Sequence, residues 1–188
     1  MGVPGVSIWH DNLNDTEKLW RKIKEADVKH FNLMAGTRGQ GEANNGMGIY
    51  GGHAYSLISC HEVETDEGTV RLVKLRNPWG RGEWKGTWSD DCDRWTDELR
   101  EQVGATKAED GIFFIDFNEY CQYYNLTDIC LRHDDAVLKH SRVIVNFNQS
   151  ENEFFSFDLK EAINTANEVF AVSCIQQGDR LRSYRNDS

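Results

Sequence analysis

Residues 51–79 read GGHAYSLISCHEVETDEGTVRLVKLRNPW, from Gly51 to Trp79. Two apolar and β-branched runs, 55–63 and 69–75, flank Thr65-Asp66-Glu67-Gly68, whose composition is that of a turn. The stretch is therefore expected to form an antiparallel hairpin. Its open end carries His53 on one arm and Asn77 on the other. A tight turn at Asp66-Glu67 sets His53 opposite Gly80, three residues beyond Asn77 or roughly 10 Å along the strand. A bulge or a longer connection has to absorb that offset. Asn77 shares strand parity with Val73 and Leu75, and His53 shares it with Tyr55 and Leu57, so both arms can end on an inward face.

Taken singly, a histidine beside glycines is an ordinary polar residue at a sheet end, and Asn-Pro is an ordinary turn. Together they offer an imidazole and a carboxamide, two of the three groups that a thiol nucleophile needs to become a thiolate and to pass its proton onward. The wider pattern is more specific. Gly52-His53-Ala54-Tyr55-Ser56, then Arg76-Asn77-Pro78-Trp79-Gly80 with 24 positions from His53 to Asn77, then 83–90 (Glu-Trp-Lys-Gly-Thr-Trp-Ser-Asp) resembles the second half of the calpain protease core. The run from about Leu19 to Leu131 fits that half throughout. The resemblance implies that His53 is the catalytic base and Asn77 its orienting partner. It also implies that Trp79 is a wedge between the two protease halves, and that the glycine-rich stretch ending at Gly51 and Gly52 borders the substrate cleft.

Bulk properties narrow the partners. The 188-residue chain carries a formal net charge of −10 with no Lys/Arg cluster, which argues against nucleic acid, because phosphate neutralisation supplies most of that affinity. Its longest apolar runs, such as 111–115, fall far short of the roughly 20 residues that span a bilayer, and residues 1–10 have no signal-peptide pattern. Five cysteines, Cys60, Cys92, Cys121, Cys130 and Cys174, form an odd set without paired spacing. Reduced thiols in a cytoplasmic protein are expected. Cys121, Cys130 and His133 do not form a zinc spacing.

Outside the hairpin, Asn14-x-x-Glu17 has the form of a capping box before Leu19, Trp20, Ile23 and Ala26, so a helix is expected to end near Asp27 or Val28. Residues 36–52 hold seven glycines and read as a long surface loop. Four tryptophans, Trp79, Trp84, Trp88 and Trp95, fall within 79–95; all but Trp79 are expected to pack beneath an irregular loop. Trp95, Leu99 and Val103 mark a short helix, 111–115 a buried strand, and Phe117, Tyr120 and Tyr124 a closing helix. The predicted class is α+β: a twisted antiparallel sheet with a few flanking helices over 1–133. From 134 to 188, short β-rich runs at 142–147, 153–159, 168–175 and 180–185 read as the start of a β-sandwich. Only about 50 residues remain there, against the ~100 of a full sandwich.

Every cysteine lies downstream of His53, whereas calpain-like enzymes place theirs upstream on a helix N-terminus, where the dipole lowers its pKa. Cys60 is roughly 23 Å from His53 along an extended strand, and Cys92 sits in an acidic loop. The chain is therefore expected to lack the nucleophile-bearing half, as a fragment of a full protease in the favoured reading or as a natural short product in the other, and to be inactive alone. In calpains two loops of this half bind Ca²⁺; the matching positions are Glu83 and Asp90 in the first, the Ala108 carbonyl and Asp110 in the second. Ile112 stands where calcium-dependent calpains have a further acidic ligand, so binding is expected to be weakened. The leading reading is a calcium-dependent, calpain-type cysteine endopeptidase acting on protein substrates; a noncatalytic module that binds protein or Ca²⁺ is the alternative.

Overall fold

In the computed structural model, residues 5–131 are described, apart from Gln40, Glu42 and the side chain of Asn12. The expected β-sandwich of 134–188 lies outside the described residues. Six strands make one antiparallel sheet: β1 (Gly5–Trp9), β2 (Asn32–Thr37), β3 (Ala54–Thr65), β4 (Gly68–Arg76), β5 (Ile112–Asp116) and β6 (Tyr124–Cys130), in the order β1-β6-β2-β3-β4-β5. Among the described residues three α-helices accompany it, α1 (Thr16–Val28), α2 (Asp97–Val103) and α3 (Phe117–Tyr123). The α+β expectation for this region holds.

The hairpin is the spine of the sheet. β3 and β4 pair through Thr65↔Gly68 and Val63↔Val70 as far as Ser59↔Lys74, and then shift register so that Leu57 faces Leu75 and Ser56 faces Arg76. Ile58 is the extra residue, and its side chain is exposed. Beyond this bulge the inward parity of β3 changes. Tyr55 and Leu57 join Val73, Leu75, Phe113 and Ile115 on the face covered by Leu19, Trp20, Ile23 and Ala26 of α1 and Phe117 and Tyr120 of α3. Val63 turns to the other face with Leu72 and Phe114, under Trp88 and Val103, with Trp95 and Leu99 packed against them. Full burial of each such side chain contributes about 1.5–3 kcal/mol relative to exposure.

Helix α1 begins one residue later than the capping-box pattern implies. Asp15, not Asn14, is the N-cap, its carboxylate accepting from the Glu17 amide at 2.9 Å. Glu17 does not reach back; its carboxylate pairs with Arg71 on β4. Three strands went unrecognised: β1, β2 and β6. The first is tied down by a buried histidine just past its end. His10 Nδ1 lies 2.7 Å from the Tyr124 carbonyl, which can only accept, so that nitrogen donates and Nε2 accepts from the Thr127 hydroxyl at 2.8 Å. Tyr120 then donates to Thr127 at 2.7 Å. Burial holds the His10 pKa below its ordinary value.

Candidate active site

His53 and Asn77 meet at the open end of the hairpin. The bulge at Ile58 absorbs one of the three residues of offset: extending the shifted register sets His53 opposite Trp79. The Trp79 ring does lie against the imidazole, with centroids 4.3 Å apart. Asn77 spans the remainder by leaving the ladder. Its amide donates to the Gly111 carbonyl at 2.8 Å, and its side chain turns back to place Oδ1 3.0 Å from His53 Nε2. Both residues are buried, at 9% and 0% relative exposure, so the pairing is protected from competing water.

The orientation of the Asn77 amide is over-determined. Nδ2 donates to the Gly82 carbonyl at 3.1 Å, and Oδ1 accepts from the Trp79 amide at 3.1 Å. Since Oδ1 is an acceptor only, His53 Nε2 carries a proton, and in the neutral ring the lone pair is then on Nδ1. An imidazole fixed in this tautomer, with its second nitrogen basic, is suited to proton transfer.

Aromatic walls surround the ring. Tyr55 meets it edge-on at 4.9 Å, Trp79 is tilted across it, and Tyr50 stands 6.3 Å away. Trp79 is 41% exposed, while Trp84 and Trp88 are buried, as the sequence led us to expect. The glycine-rich loop closes beside them. Thr37 Oγ1 accepts from the His53 amide at 3.0 Å and lies 2.6 Å from the Tyr50 carbonyl, stapling both ends of the 50–53 turn to β2. Gly52 adopts φ +60, and a Cβ there would meet the Gly39 carbonyl oxygen at 2.9 Å. At Gly51 a Cβ would meet the Arg38 oxygen at 3.0 Å. Side chains at either position would push Arg38 and Gly39 off the turn that precedes His53. Thr37, Tyr50, Gly82 and Gly111 are the site's supports that the sequence did not disclose; a glycine two residues past Gly80 was the only local signal.

The acidic positions come into mutual electrostatic range. Glu83 Oε1 accepts from the Gly111 amide at 2.6 Å, and burial, then Asp110 and Glu109, raise its pKa. Asp90 is pushed from its ordinary 3.8 up to about 7, chiefly by burial and by the Glu83 carboxylate, with Arg100 opposing. Asp110 Oδ1 accepts from the Ile112 amide at 2.9 Å, and the Ala108 carbonyl accepts from the Asp110 amide at 2.9 Å. Accumulated negative charge fits a cation. Ligand spacing does not: among the described residues no three His, Cys, Asp or Glu side chains stand close enough to share a metal ion. Gly111 joins the two regions, because its carbonyl holds Asn77 and its amide holds Glu83.

Two of the thiols, Cys60 and Cys121, are poor nucleophiles. Burial and the adjacent Asp27 carboxylate push Cys60 up to about 12, and burial pushes Cys121 to about 12. Cys60, Cys92, Cys121 and Cys130 are all unpaired to one another.

The described α+β fold presents a buried imidazole–carboxamide pair at the rim of its antiparallel sheet, an arrangement that cysteine proteases also use. Residues 3–131 match the family model described as calpain family cysteine protease, and the chain belongs to that family. It is 40% identical over 94 residues to calpain-12 of Mus musculus, covering 48% of this chain and 13% of that protein. To the calpain-2 catalytic subunit of Bos taurus it is 31% identical over 144 residues, and to calpain-8 of Rattus norvegicus 30% over 139, covering 73% and 71% of this chain. The chain spans about a fifth of the length of these last two relatives, 20% in each case.

Proposed function

We propose that this chain supplies the base-bearing half of a calpain-type cysteine endopeptidase, with His53 as general base and acid and Asn77 as the group that fixes its ring. The observation that carries the reading is the 3.0 Å pairing of His53 Nε2 with an Asn77 amide of one allowed orientation. A cysteine from the complementary half would give its proton to His53 Nδ1 and attack the peptide carbonyl as thiolate. The imidazolium would then protonate the departing amine, leaving an acyl-enzyme, and water activated by the same nitrogen would release the second product. Asn77 takes no proton; it stabilises the imidazolium by keeping Nε2–H hydrogen-bonded.

The partners in this proposal are protein substrates and a Cys-bearing half of a calpain core, in a cytoplasmic setting that suits the four unpaired thiols among the described residues. No described helix is long and apolar enough to cross a membrane. Trp79, exposed and tilted over His53, is suited to the wedge role, and Gly51 and Gly52 to the cleft edge. Complementation tests the reading: the chain is combined with a calpain first half and assayed on a fluorogenic peptide. Cleavage is expected, with His53→Ala lowering kcat/KM by about 10²–10⁴-fold. Undiminished cleavage by His53→Ala would remove the role, and tight binding of the two halves without any cleavage would favour the noncatalytic module.

The family resemblance would put Ca²⁺ at Glu83, Asp90, the Ala108 carbonyl and Asp110, and weak binding at most is proposed, because these side chains are not spaced to share an ion. What favours a cation is the mutual repulsion of Glu83, Asp90 and Asp110, which after burial raises the Asp90 pKa. Ile112 contributes no oxygen. Calorimetric titration at millimolar Ca²⁺ is expected to give heat that Asp90→Asn abolishes; no heat from the unaltered, complemented core would dispose of the site.

A further inference from the structure

The geometry points to Tyr50 as a positioning residue: its ring latches Trp79 against His53 and braces the 77–82 turn that orients Asn77. This rests on the reading of His53 as the base. Three observations carry it. The Tyr50 ring meets Trp79 edge-on, with centroids 4.8 Å apart at 69°, which is a favourable geometry for an aromatic pair. It also lies on Gly82, where a Cβ would come within 2.7 Å of Tyr50 Cε2 and 3.2 Å of its hydroxyl oxygen. Gly82 is the residue whose carbonyl receives Asn77 Nδ2. One ring therefore touches both the wall over the imidazole and the backbone that sets the carboxamide.

The ring's own support is rigid. Its backbone amide donates to the Tyr55 hydroxyl at 2.9 Å, and its carbonyl lies 2.6 Å from Thr37 Oγ1. Tyr55 is buried with its ring edge-on to His53, so Tyr50 is anchored to the same aromatic wall that it helps to close. Trp79, by contrast, is 41% exposed and follows Pro78 in a turn, with one backbone hydrogen bond to Asn77 Oδ1. Without the Tyr50 edge, that indole has lost its neighbour on the loop side and is free to swing. The ring edge of Tyr50, more than its hydroxyl, makes these contacts.

Carbethoxylation of His53 by diethyl pyrocarbonate, followed by peptide mass spectrometry and normalised to exposed His30, reads the latch directly on the 188-residue chain. Tyr50→Leu is expected to raise the His53 rate about three- to ten-fold, the scale of a lost aromatic pair, while Tyr50→Phe stays within about two-fold of the parent. Buried His10 reports folding: its protection should be unchanged in both variants. Should Tyr50→Leu also expose His10, Gly82→Ala, which drives a methyl into the Tyr50 ring, takes its place with the same expected rise. An unchanged His53 rate in folded Tyr50→Leu, or an equal rise in Tyr50→Phe, would overturn the latch. If the latch variants behave as expected while the complemented chain cleaves nothing, the positional role stands and the proposed catalysis fails.

Discussion

Asn77 shows how much chemistry a single neutral side chain can set. Its amide nitrogen and oxygen are assigned separately by Gly82, Trp79 and His53, so the imidazole inherits a defined tautomer from a group that never ionises. Asp90 is the opposite case, a residue whose charge the fold opposes. Its carboxyl titrates at about 7 in the folded chain against an ordinary 3.8, so the folded state holds a proton that the unfolded state has released. Stability from this group is therefore full below about pH 4, declines as pH rises through the interval to about 7, and is flat above it. Asp90→Asn is expected to raise the melting temperature at pH 8 and to leave it nearly unchanged at pH 4; an equal shift at both would show that ionisation is not the cause.

Among the elements, the β3–β4 hairpin was legible because every signal for it is local: alternating apolar residues, a four-residue turn and a break at Asn77-Pro78. Helix α1 was legible from its buried stripe, although its cap slipped by one residue because Asn14 and Asp15 are both good caps and Glu17 found Arg71 instead. Strands β1, β2 and β6 were not. Each gains its identity from partners distant in sequence, Gly5 from Cys130 and Leu33 from Ile129, and β6 dilutes its apolar residues with Asn125, Thr127 and Asp128. The same applies to the loop over 38–53, which reads as glycine-rich and formless. In the structure, Asn44 and Asn45 side chains tie down the amides of 46–49, and the Lys85 amide donates to the Met47 carbonyl at 3.0 Å. Gly48 sits at that junction with φ +86, and a Cβ would fall 1.7 Å from the Glu83 carbonyl oxygen. Gly48→Ala is thus expected to cost about 1–3 kcal/mol in denaturant unfolding. A neutral result would mean that the 83–86 segment yields freely.

At the scale of the molecule, the His53–Asn77 pair and the acidic loops adjoin one another, with Gly111 bonded to both regions. The pair itself was readable from spacing and resemblance. Its register was not, because the bulge at Ile58 has no sequence mark. Cys60 and Cys121 rest far from thiolate at neutral pH, and the proposed chemistry takes its sulfur, at His53 Nδ1, from the complementary half. The most direct measurement is the pH dependence of iodoacetamide alkylation of that cysteine in the assembled complex. The account predicts a thiol that titrates well below the ~8.5 of a free cysteine when His53 is present and returns towards it in His53→Ala. Identical profiles in the two complexes would contradict it.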